Sequence, residues 1–93
     1  MTVGILTAEL FIPESNSLKE KRMVLHSIKA RLRNRFNCAV AQVDTEDKWQ
    51  SAQLAIVGVE KSRATVNSML SRAVDFLEGC GNIKLLDYEL ELI

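Results

Sequence analysis

The chain predicts an α+β sandwich with the element order βαββαβ. Three observations carry this. Residues 18–36 and 62–78 keep their apolar side chains at helical spacing. Four other segments are β-branched and apolar, or alternate apolar with polar residues, as strands do. The connections between them are short, so right-handed crossovers give four antiparallel strands in the order 4-1-3-2 with both helices on one face, the ferredoxin-like arrangement.

Residues 2–13 form the first strand, closed by Pro13. Ser17 and Glu20 then have the spacing of a capping box, in which Ser17 bonds the N–H of Glu20 and Glu20 reaches back to the N–H of Ser17. The first helix runs from Leu18 to Phe36, with Leu18, Leu25, Ile28, Leu32 and Phe36 on its core stripe and Val24 at its edge. Residues 38–45 are the second strand and 46–50 a polar turn. Residues 51–60 are almost wholly apolar, which predicts a central strand. Ser62 caps the second helix, whose core positions are Val66, Met69, Leu70, Ala73, Phe76 and Leu77. Gly79 and Gly81 end it. In the last strand, residues 82–93, Leu86, Tyr88, Leu90 and Leu92 alternate with Asp87, Glu89 and Glu91.

Ninety-three residues bound one domain, 1–93, with one hydrophobic core. Formal net charge is zero, so attraction to an anionic partner must come from local asymmetry. Seven of the twelve Lys and Arg lie between Leu18 and Phe36, against the single acid Glu20. No basic leader with an apolar core and cleavage site is seen, and no apolar run approaches the roughly 20 residues of a membrane helix, which predicts a cytoplasmic chain. Cys38 and Cys80 then read as reduced thiols at opposite ends of the sheet, without CxxC partners.

Three features together resemble a known family. They are the start of the first helix, Ser17-Leu18-Lys19-Glu20-Lys21-Arg22, the turn Asp47-Lys48-Trp49-Gln50, and the βαββαβ order in a chain of this length. They are similar, over essentially the whole chain, to the YlxP-like family of small bacterial proteins of unknown function. Such genes often sit near those for the translation factor that delivers initiator tRNA and for ribosome-binding factor A. The resemblance therefore implies a link to translation or ribosome maturation, by association alone. Members often carry His where this chain has Asn16. The family supplies no catalytic residue to carry over.

The candidate RNA- or anion-binding residues are Lys19, Lys21, Arg22, His26, Lys29, Arg33 and Trp49. Gaps of three and four place Lys19, Arg22, His26, Lys29 and Arg33 on one side of the helix, beside the apolar stripe. Arg31 and Arg35 flank the other side, and Lys21 falls within the buried sector. A one-signed stripe suits phosphate contacts, which position a protein without reading sequence. The plain alternative is a solvated face whose stems cover apolar surface and whose last turn complements the helix dipole. Lys19, Lys21 and Arg22 oppose the dipole at the helix start, which suits an anion site there. Neutralisation by Glu14 and Glu20 is the alternative.

Topology brings residues 14–22, 46–50 and 79–82 to one end of the sheet. Trp49 is therefore expected beside the first turn of the first helix, with Lys19, Lys21 and Arg22 around a shallow anion site. There it would stack on a base, or cover the end of the core. His26 has no Asp or Cys at catalytic spacing and reads as a surface residue. Asp87, Glu89 and Glu91 share one face of an edge strand, as a cation site or as charges against edge pairing.

No metallochaperone CxxC, no aromatic-rich RNA-recognition signature in the first and third strands, and no glycine-rich phosphate loop is present, and no cofactor or metal is expected. Three readings follow. The first is a non-enzymatic protein binding structured RNA, a ribosomal particle or a ribosome-associated protein through the basic helix. The second is a homo-oligomer or protein-interaction module using the open sheet face, where Val3, Ile5, Thr7, Glu9, Phe11, Val57 and Val59 point outward. The third is a small-anion-binding enzyme at the Lys19–Arg22 turn.

Overall fold

The structure is a computed structural model that describes residues 1–44 and 48–93. Its elements are β1 (Thr2–Phe11), α1 (Leu18–Arg35), β2 (Cys38–Gln42), β3 (Ser51–Glu60), α2 (Arg63–Glu78) and β4 (Lys84–Leu92). The four strands form one antiparallel sheet in the order β2-β3-β1-β4, the expected order read from its other edge. The largely apolar β3 is central, as its composition predicts.

One core lies between the sheet and the helices. Leu6, Ala8 and Leu10 of β1 and Ala52, Leu54 and Ile56 of β3 are buried with Leu25, Ile28 and Leu32 of α1 and Val66, Leu70 and Leu77 of α2. Side chains alternate across a strand, so Val3, Ile5, Thr7, Glu9 and Phe11 fall on the opposite, open face. Gly4 and Gly58 are partners across β1 and β3, and both lie under α2. A Cβ on Gly4 would sit 2.6 Å from Leu70 and 2.9 Å from Val66, and one on Gly58 would meet the end of Met69. The missing side chains let the helix settle on the sheet.

Three expectations are corrected. The β1 ladder ends at Phe11 rather than Pro13, although the Ile12 N–H still donates to the Gln50 carbonyl at 2.8 Å. β2 ends at Gln42 rather than at residue 45. Two residues on, Asp44 accepts the Gln53 N–H at 3.0 Å, so a side chain replaces the ladder. In β4 the register slips between Glu9 and Leu10, whose partners are Asp87 and Leu85. Leu86 is therefore the extra residue of a bulge and is 58% exposed, while Leu85 packs on the core in its place. Thr45, Glu46 and Asp47, which carry part of the expected polar turn, lie outside the described residues.

No helix is long and apolar enough to cross a membrane among the described residues. Both cysteines are free.

Candidate functional site

The helix that carries most of the candidate residues is fixed at its start by local chemistry. Ser17 is extended (φ −161°, ψ 164°), and its hydroxyl accepts the Glu20 N–H at 3.1 Å. Glu20 reaches back, but to the N–H of Asn16 at 2.7 Å rather than to that of Ser17. The box is thus one residue wider than expected and still satisfies two free donors. This sets where each cation of α1 points.

Lys21 points inward. Only 3% of its side chain is exposed, and its ammonium donates to Asp44 Oδ2 at 3.0 Å and to the Lys48 carbonyl at 2.9 Å. Asp44 also accepts the Gln42 amide at 3.2 Å. Burial disfavours the charged form of Asp44. The Gln53 N–H, the Lys21 and Gln42 hydrogen bonds and the Lys21 charge outweigh it, and hold the carboxyl below its ordinary value. One buried cation thereby ties the first turn of α1 to both ends of the β2–β3 connection.

Arg22, His26 and Lys29 point the other way. With Met23, Leu25 and Gln42 they line one open groove of about 430 Å³ between α1 and the end of β2. Lys19 is exposed at the head of the same stripe. Arg33, at its foot, donates to the Val40 carbonyl at 2.9 Å. Val40 is on the edge strand β2, so this bond blunts part of the free edge while the guanidinium keeps its charge. Beside it, burial raises the pKa of the Cys38 thiol, against the lowering effect of Arg33. Lys21–Asp44 is the sole ion pair among the described residues, so none of the stripe cations has a carboxylate partner there.

Trp49 is half exposed and lies elsewhere. It lines a groove with Phe11, Lys48, Gln50 and Ser51, to which no residue of α1 contributes. The loop backbone does reach the helix, through Lys21 and the Lys48 carbonyl, and the Gln50 amide donates to the Pro13 carbonyl at 3.3 Å. The expected meeting of the two loops therefore occurs, but Trp49 lines a groove with Phe11 and not with α1. Lys19, Lys21, Arg22 and Trp49 are not gathered into one site.

A second basic cluster lies on the opposite flank of α1. Arg31, Arg35 and Arg72 surround the Phe36 and Phe76 rings, which meet edge to face at 6.4 Å. The sequence placed Arg31 and Arg35 on that flank but not Arg72. The detectable signal was Arg72 one helical turn before Phe76, on the same side of α2. On β4, Asp87 and Glu89 lie opposite Glu9 and Thr7, and no group of three metal-ligating side chains is formed among the described residues.

A family model described as "Protein of unknown function (DUF503)" matches residues 3–90. The chain belongs to this family. It is also 33% identical over 82 residues to the uncharacterized protein YlxP of Bacillus subtilis (strain 168), covering 88% of this chain and 89% of that protein. The resemblance read from the helix start, the Trp49 turn and the element order is thus the family relationship itself. For DUF503 neither description assigns an activity, so the function of this member must be argued from its surfaces.

Proposed function

We propose that this protein is a non-enzymatic, cytoplasmic RNA-binding protein that docks on structured RNA or a ribosomal particle. Phosphates lie along the α1 groove, against Arg22, His26 and Lys29, with Lys19 and Arg33 extending the track. The observation that carries this reading is the set of basic side chains opening onto one groove with no carboxylate partner among the described residues, on a chain with zero net charge. Lys21 contributes at one remove, by fixing the loop that carries Trp49. The exposed indole beside Phe11 offers a stacking surface.

The test is retention of structured RNA and ribosomal particles at low salt by wild type and by a Arg22→Glu/Lys29→Glu variant. The reading expects the variant to lose binding while its circular dichroism is unchanged. Equal binding by the two proteins overturns it.

A second reading, self-association, is favoured by the open sheet face. Val3 pairs with Val59 and Ile5 with Val57, which forms an apolar patch. On that reading Ile5→Lys converts an oligomer to a monomer. Light scattering from wild type as a monomer at high concentration overturns it.

A further inference from the structure

The seam between α1 and α2 holds a second cluster of basic side chains. It is an open groove of about 500 Å³ lined by Arg31, Arg35, Phe36, Arg72, Asp75, Phe76 and Gly79. The Arg31 and Arg35 guanidiniums lie 5.0 and 5.3 Å from the centre of the Phe76 ring. Those of Arg35 and Arg72 lie 5.9 and 6.0 Å from the centre of the Phe36 ring. Two half-buried rings therefore hold three cations in one place. Stacking on a ring face leaves the planar N–H fork of an arginine free at its edge. No carboxylate of the described residues comes within 4.0 Å of any of the three, including Asp75, which lines the same groove.

We propose that this groove binds a terminal phosphoryl group, as a phosphate monoester or pyrophosphate. Three like charges held together repel one another; Asp75 lines the same groove but pairs with none of them, and a bound oxyanion removes the repulsion that remains. The choice among oxyanions follows from counting. A carboxylate offers two oxygens and one negative charge, and a phosphodiester offers two free oxygens and one charge. A terminal phosphoryl group offers three oxygens and nearly two charges, which matches three guanidinium forks. The rings are covered by the arginines, so they serve as platforms that limit side-chain freedom rather than as stacking sites for a base. Asp75 sets an upper limit on affinity, because its carboxylate opposes the bound anion. None of these residues lines the α1–β2 groove, so the inference does not rest on the RNA reading.

The test is titration of the whole chain with sodium pyrophosphate, against sodium chloride at matched ionic strength, followed by NMR of the arginine Nε–H groups. Saturable shifts are expected at Arg31, Arg35 and Arg72. Arg72→Gln should weaken binding by about tenfold, the weight of one charge-assisted hydrogen bond. Asp75→Asn should tighten it at low salt, which a purely structural cluster would not do. Arg22→Glu/Lys29→Glu should leave it unchanged, which separates this site from the RNA groove. Displacement of pyrophosphate by a 5′-phosphorylated oligonucleotide but not by its 5′-hydroxyl form would place the phosphoryl group at an RNA end. Displacement by neither would place it on a small molecule. Both patterns support the site. Equal displacement by the two oligonucleotides, non-saturable shifts, or unchanged binding in both Arg72→Gln and Asp75→Asn overturns it.

Discussion

Lys21 and Arg22 are adjacent in sequence and opposite in fate. Lys21 is buried, paired with Asp44 and bonded to the Lys48 carbonyl. Arg22 is exposed, without a carboxylate partner among the described residues, and opens on a groove with His26 and Lys29. An α-helix turns about 100° per residue, so neighbours in a basic run can serve different ends. A cation facing inward must be neutralised and hydrogen-bonded to be tolerated at all. A cation facing outward is free to hold something else. The difference teaches that a basic run is not one feature. The charge that closes the fold and the charge that remains for a partner must be separated by burial before either is counted.

The largest expected effect that sharpens this separation is on stability. Lys21→Ala leaves Asp44 desolvated and without its cation, and should cost about 3 kcal/mol in chemical denaturation. A cost under 1 kcal/mol would place Lys21 with the surface cations. A smaller effect is expected from pH. Asp44 titrates below its unfolded value, so its stabilisation is present above about pH 4 and is lost as pH falls through the lower folded value. Wild type should therefore lose more stability than Asp44→Asn on acidification, and parallel curves would contradict the pairing. Arg33→Gln removes one charge-assisted bond to the edge of β2 and should cost about 1 kcal/mol, with faster amide exchange in that strand. Arg22 and Lys29 make no such bond among the described residues, so Arg22→Ala and Lys29→Ala should each change stability by less than about 0.5 kcal/mol.

Local signals were legible and distant pairings were not. Ser17, Ser62, Pro13 and the helical spacing of apolar residues each act within a few positions and placed the elements, and the right-handed crossover rule then gave the strand order. The inward position of Lys21 was legible from the same periodicity. Its partner was not, because Asp44 is 23 residues away and fell inside an expected strand. The Phe36–Phe76 contact was hidden for a related reason. Both rings fit the apolar stripe of their own helices, and nothing local says that they meet at the seam with three arginines. Trp49 was placed at the right end of the sheet, but that it lines a groove with Phe11 rather than with α1 depends on tertiary packing that no local signal encodes. The Leu86 bulge falls where the apolar alternation changes phase, from Ile83 and Leu85 to Leu86, Tyr88, Leu90 and Leu92, a signal that the sequence reading passed over.

The salt dependence of RNA binding tests the central claim most directly. Each phosphate contact releases counterions, so the logarithm of the binding constant falls linearly with the logarithm of salt concentration. If the Arg22–Lys29 groove holds phosphates, Arg22→Glu/Lys29→Glu should reduce that slope by about 2, one for each lost contact. A wild-type slope near zero, or the same slope in both proteins, would contradict the account.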